Sequence, residues 1–231
     1  MSATVVLVHG AWHGAWCWRP VERRIRSKAL DVVALDLPGH GDSTEPLGDF
    51  EADVATVTAT LDAADGPVVL VGHSYGGAVI SAAGHHDAVR DLAFVCAWMP
   101  DRDETVSGLA DQFPVDHDEP AMKMEDDGLV LTDYGLREVL YHDASTALDT
   151  ARLLVVPENL AKFQTPGGNP AWLTKPVTYV RCLLDRIAHP DLQTFLAERA
   201  EADIIDLDVG HMPQFAAADA LTTAIAELAR G

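Results

Sequence analysis

A chain of 231 residues has room for one large α/β domain, or for a core with a sizeable insertion. At 48% hydrophobic and 23% charged residues it is an ordinary globular chain, which excludes a collagenous or disordered one. A formal charge of −20 sets the surface against phosphate backbones and anionic lipids, so neither nucleic acid nor a membrane is expected as a partner.

The first predicted strand is TVVLV at 4–8. It begins so close to Met1 that no secretory leader is expected, and no apolar run approaches the roughly 18 residues that span a bilayer. The strand opens into LVHGAWHGAWCW, two tandem copies of HGAW, and then a helix over 18–29 with Val21, Ile25 and Ala29 on one face. VVAL at 32–35 is the second strand, followed by the turn LPGHGDS and a helix over 50–61. VVLV at 68–71 leads through GHSYGG into a helix over 75–83, and LAFVC at 92–96 is the fourth strand.

The alternation then breaks over 99–172, with acidic clusters (DRDE, DHDE, MEDD), a helix over 144–154, the turn-rich QTPGGNP and no clear strand. VTYVRCLL at 177–184, a helix over 190–200, IIDL at 204–207 and a helix over 219–229 resume it. Near-continuous apolar strands suit burial on both faces, as in a parallel sheet. The expected fold is therefore α/β, a doubly wound, mostly parallel sheet of about six strands. Residues 1–98 and 173–231 would form the core, and 99–172 a mainly helical cap inserted after the fourth strand. Cys17, Cys96 and Cys182 are odd in number, widely spaced and lack a C-x-x-C, which fits a reducing cytoplasm rather than a disulfide framework or structural zinc.

Gly72 to Gly77 read G-x-S-x-G between a strand and a helix. A nucleophile on so tight a turn needs neighbours without a Cβ, and it leaves Ser74 proud of the sheet. A serine hydroxyl needs a histidine to take its proton and a carboxylate to orient that histidine. His211 follows the last strand, where the base belongs, and Asp185 follows the fifth. Asp101 and Asp103 follow the fourth and remain alternatives on position, whereas strand geometry turns Asp206 away. The side chain of His73 should point away from Ser74, and His40, His85 and His86 read as structural or surface residues. His9 and His13 have the spacing of a zinc pair but lack the glutamate and follow a strand, so no metal is expected. His117, between Asp116 and Asp118, reads as part of a solvated acidic surface.

LVHGAWHGAW, LDLPGHGDS, VGHSYGGAVI, AWMPD, CLLDRIAHPDLQ and GHM resemble the α/β-hydrolase fold superfamily. They look most like its branch of plant methyl esterases of the salicylate-binding type, hydroxynitrile lyases and small bacterial esterases. The resemblance implies Ser74 as nucleophile, Asp185 as acid and His211 as base, with an oxyanion hole from the backbone N–H groups of Ala11 and Tyr75. It also implies that the loops after the first and third strands face each other at the reversal of strand order. Lyases of this branch carry a hydroxyl or amide after the first histidine, and some a lysine after the catalytic one. Gly10 and Met212 stand there, so a serine carboxylesterase without cofactor is expected. The alternatives are a hydroxynitrile lyase and a small-ligand receptor with residual hydrolase activity. Gly10, Trp12, Trp98, Met99, Phe113, Trp172 and Met212 are expected at an apolar pocket for a small hydrophobic or aromatic ester, and Trp16 and Trp18 in packing. A homodimer is the protein association left open.

Overall fold

The computed structural model describes residues 2–231. Strand β1 (Thr4–Val8) leads through a 3₁₀ turn at Ala15–Trp18 into α1 (Arg19–Ser27), where Val21 and Ile25 are buried. Next come β2 (Val32–Leu35) and α2 (Phe50–Asp62), whose amino end is capped by the Asp49 carboxylate accepting from the Ala52 N–H. β3 (Val68–His73), α3 (Gly76–Ala83) and β4 (Val89–Val95) follow. The insertion after β4 holds α4 (Val106–Gln112), β5 (Met122–Glu125), β6 (Gly128–Leu131), a π-helical turn at Gly135–Leu140 and α5 (Leu148–Leu154). β7 (Val177–Cys182), α6 (Pro190–Arg199), β8 (Asp203–Leu207), α7 (Pro213–Ala216) and α8 (Ala218–Arg230) close the chain.

Six strands form one sheet in the order β2-β1-β3-β4-β7-β8, and every pairing in it is parallel. The expected doubly wound sheet is therefore the one observed. Its central strands are buried on both faces: Val6, Val8, Val68 and Leu70 pack on one side, Val5, Leu7, Val69 and Val71 on the other. This period-two division of continuous apolar runs is why these strands are legible in the sequence. The order reverses between β1 and β3, so the loops at their carboxyl ends flank one crevice.

The insertion departs from the expectation of a segment without strands. β5 and β6 pair as an antiparallel hairpin through the two-residue turn Asp126-Asp127, with Gly128 at φ +131°. β5 is exposed along its whole length and so lacks the apolar run that marks the core strands. The helix expected over 144–154 is a 3₁₀ turn at Ser145–Ala147 running into α5. Among the described residues, no helix is long and apolar enough to cross a membrane.

Candidate active site

Ser74 sits at the end of β3 with φ +52°, a left-handed conformation that costs a non-glycine residue energy. The surroundings hold it there: its N–H donates to Val95 O at 3.2 Å, and its carbonyl accepts from Gly77 N at 3.0 Å and Trp98 N at 3.1 Å. The flanking glycines are required by close approach. A Cβ on Gly72 would lie 2.6 Å from Gly76 O, and one on Gly76 would lie 2.6 Å from His9 O at the end of β1.

Asp185, in the turn after β7, accepts the His211 Nδ1–H at 2.7 Å with Oδ2. That bond fixes the proton on Nδ1 and leaves Nε2 with its lone pair, the tautomer a general base needs. The carboxylate is itself oriented by the Ile187 and Ala188 N–H groups on Oδ1 (2.8 and 3.1 Å) and by Gln193 Nε2 on Oδ2 at 3.2 Å. Of the alternatives, Asp101 accepts from the N–H of Arg102 and Asp206 pairs with Arg181, so Asp185 is the one that meets His211. His73 braces the base: Nε2–H donates to His211 O at 2.8 Å. Burial, reinforced by the nearby His211, lowers the His73 pKa well below the usual range and keeps it neutral. Asp143 of the insertion accepts from Gly210 N at 2.6 Å, pinning the same loop from the other side.

The loop after β1 packs against Ser74 so closely that a Cβ on Gly10 would lie 2.7 Å from Ser74 Cβ. Trp12 has φ +64°; its Nε1–H donates to Leu129 O at 2.8 Å and its carbonyl accepts from Val156 N at 3.0 Å. His13 Nδ1–H donates to Ala11 O at 2.7 Å, and its Nε2 accepts from Tyr141 OH at 2.8 Å. Burial depresses the His13 pKa to about 4, so this neutral tautomer is kept. His9 is held likewise, donating from Nδ1 to Gly10 O and accepting from Leu37 N with Nε2. Both ring nitrogens of each histidine are thus committed to the protein, which leaves no lone pair for a metal. The tightest cluster of metal-type ligands, His73, Cys96 and His211 within 4.8 Å, contains the histidine paired with Asp185, and its other two members bond to the His211 carbonyl. Among the described residues, the N–H groups of Ala11 and Tyr75 meet no protein acceptor.

A cavity of about 400 Å³ opens over Ser74. Ala11, Trp12, Tyr75, Trp98 and Phe113 line it, as do Val106, Ser107, Ala110, Val115, His117, Met122, Leu129, Leu160, Phe163 and Ile187. Ser107 and His117 join Ser74 as polar residues in a largely aromatic and aliphatic wall. Four expected pocket residues, Met99, Met212, Trp172 and Gly10, are elsewhere. Met99 is fully buried in the core on one face of the sheet and Met212 on the other. Trp172 is buried, its Nε1–H directed at Pro100 O and its ring under the Arg199 guanidinium at 5.0 Å. Gly10 lies behind Ser74 rather than on the wall. Residues 106 and 110 share one face of α4 and 113 follows at its carboxyl end, a helical spacing that could have marked the wall in advance.

A second polar cluster escaped sequence reading. His40, Asp53, Glu158 and Lys162 are all fully buried beside the loop after β1. Lys162 Nζ lies 3.0 Å from Asp53 Oδ2 and 3.0 Å from Glu158 Oε1, as close ion pairs without hydrogen-bond alignment. His40 Nε2 donates to Glu158 Oε2 at 3.0 Å, and Tyr75 OH donates to Asp53 Oδ2 at 2.7 Å.

A parallel sheet carrying a serine on a glycine-flanked elbow defines the α/β-hydrolase class. The match of residues 5–224 to the alpha/beta hydrolase family agrees, and the chain belongs to that family. Within it the chain is similar to methyl jasmonate esterase 1 of Vitis vinifera, 28% identical over 91% of this chain and 90% of that one. It is equally similar, at 28% over 96% and 94%, to norfluorocurarine synthase 2 of a Strychnos species. Among solved structures, a pyrethroid hydrolase superposes with a TM-score of 0.85 at 25% identity, over 99% of this chain and 98% of that one. The expected kinship with plant methyl esterases is therefore found.

Proposed function

We propose that this protein is a serine carboxylesterase that hydrolyses small hydrophobic or aromatic esters through an acyl-enzyme on Ser74. One observation carries the reading. A serine on a strained elbow and two unpartnered N–H groups converge on an apolar cavity, in a chain that also holds a histidine oriented by a buried carboxylate. In the reaction, Ser74 Oγ adds to the ester carbonyl carbon while its proton passes to His211 Nε2. Asp185 stabilises the imidazolium, and the N–H groups of Ala11 and Tyr75 hold the oxyanion, each worth about 10²–10³ in rate. The C–O bond to the alcohol breaks as His211 returns the proton to the leaving oxygen. Water then attacks the acyl-enzyme with His211 again as base, and Ser74 recovers its proton as the acid departs.

The uncharged wall supports an uncharged acyl and alcohol part, and the insertion over 99–172 acts as the cap that closes the cavity. The lyase alternative loses support from the site: Gly10 offers no side-chain donor and Met212 is buried away from the cavity. The similarity to esterases supports the same choice. Three buried free cysteines and the charge of −20 fit a cytoplasmic enzyme without nucleic-acid or membrane partners; cell fractionation and sedimentation test the compartment and the homodimer. The deciding assay uses nitrophenyl esters of increasing chain length on wild type and Ser74→Ala. Turnover should fall by about 10⁴-fold or more in the variant. Unchanged hydrolysis overturns the assignment, mandelonitrile cleavage without ester turnover selects the lyase, and a single slow turnover selects the receptor.

A further inference from the structure

The cluster of His40, Asp53, Glu158 and Lys162 has no part in the reaction just described, yet it places four ionisable groups in the buried interior. His40 Nδ1 faces Pro38 O at 3.0 Å and Nε2 faces Glu158 Oε2 at 3.0 Å. Both partners are oxygens, so the ring bridges the Pro38 carbonyl and the Glu158 carboxyl group. The cluster sets two acidic side chains against two basic ones. Burial alone would raise the Glu158 carboxyl, but the His40 hydrogen bond and the Lys162 charge outweigh it and hold it at about 2. Such a group is a weak stabilising device, because apolar side chains of the same volume often do as well. Its value lies in what its ends hold.

One end is the loop after β1. Glu158 Oε2 accepts the Trp12 N–H at a long 3.4 Å, and the Trp12 N belongs to the peptide that directly follows Ala11. The other end is the elbow, where Tyr75, the residue after Ser74, anchors its hydroxyl on Asp53 with Lys162 5.8 Å from the ring centre. Trp12, Glu158, Lys162, Asp53 and Tyr75 thus form a continuous chain from the peptide next to the free Ala11 N–H to the side chain of the residue that carries the free Tyr75 N–H. We propose that Glu158, Lys162 and Asp53 are positioning residues that set the separation of the two oxyanion-binding N–H groups. This rests on the esterase reading. It assigns to a glutamate and a lysine of the insertion a role in the rate of acyl transfer, beyond holding the insertion down.

Glu158→Gln with Lys162→Met removes one acidic and one basic group of the cluster together. Two ligands of equal shape separate positioning from mere packing. A trifluoromethyl ketone adds Ser74 Oγ to its carbonyl carbon, passes the serine proton to His211 and leaves a tetrahedral oxyanion; the matching methyl ketone binds without that charge. The double variant should lose about 10- to 100-fold in kcat with KM within about threefold. Its affinity for the trifluoromethyl ketone should fall in parallel while that for the methyl ketone holds. An unchanged kcat in a folded variant, or equal losses for both ketones, overturns the proposal. If circular dichroism shows the double variant unfolded, Tyr75→Phe, which removes only the hydroxyl on Asp53, must reproduce the selective loss at about 3- to 10-fold, and failure to do so is equally decisive. A wild type without ester turnover overturns both readings, whereas wild-type turnover matched by the variants overturns this one alone.

Discussion

Gln193→Leu should weaken the fold and slow the reaction together. Gln193 is fully buried on α6, with Oε1 accepting the Cys182 N–H at 2.8 Å. Its Nε2 reaches Ala188 O at 2.7 Å, Cys182 O at 3.2 Å and Asp185 Oδ2 at 3.2 Å. Leucine fills a similar volume and makes none of these bonds. The Cys182 carbonyl keeps the Asp185 N–H at 3.2 Å, but the Cys182 N–H and the Ala188 carbonyl are stranded. At about 1–3 kcal/mol for each stranded group, less the gain from burying an apolar side chain, the net loss is about 2–4 kcal/mol. For a domain of this size that lowers Tm by about 5–15 °C. Asp185 retains two backbone donors and His211, so kcat should fall about tenfold with KM unchanged. Calorimetry beside nitrophenyl ester kinetics measures both. A Tm within about 1 °C of wild type, with kcat intact, would show that the two stranded groups find other partners and that Gln193 does not hold the carboxylate.

Gly10→Ala drives a Cβ to 2.7 Å from Ser74 Cβ and 3.0 Å from His73 Nδ1, neither of which can retreat. Its kcat/KM should drop by at least about 10²-fold with the far-ultraviolet dichroism unchanged, and full activity would refute the close approach. Phe113→Ala removes a ring from the cavity wall and should move the preferred acyl chain upward by several carbons; an unaltered chain-length profile would mean that the ring does not bound the substrate. Glu158 is held at about 2 when folded against 4.5 ordinarily, so its stabilisation is complete above pH 4.5 and is lost as pH falls toward 2. That loss is worth up to about 3 kcal/mol, and Asp53, which burial shifts upward, opposes it over part of the range. Urea midpoints from pH 5 down to pH 3 should fall less steeply for Glu158→Gln than for wild type.

The sheet was legible because its strands are continuous apolar runs, and the elbow because close approach dictates its glycines. Met212 shows where such reading ends. It neighbours His211 in sequence, but adjacent side chains point different ways, and this one enters the core on the opposite face from most of the cavity wall. Met99 and Trp172 were lost for the same reason, since lying near a strand end says nothing of direction. The hairpin of β5 and β6 was hidden by its exposure, although MEDDGLVL contains the Asp-Gly step of a tight turn. The charged cluster could not be read at all. Glu158 and Lys162 stand four apart, as in any solvated helix pair, and only the tertiary fold brings Asp53 and His40 against them and takes the water away.

The bonds that fix the loop after β1 have a consequence for how specificity can be altered. Leu129 O, Tyr141 OH, Val156 N and Glu158 all reach it from the insertion. A hinge that swung this segment outward would break these bonds to the loop that carries Ala11. Laboratory evolution of specificity should therefore succeed through single changes on the cavity faces of α4 and the hairpin, and fail when the whole insertion is exchanged for that of a relative.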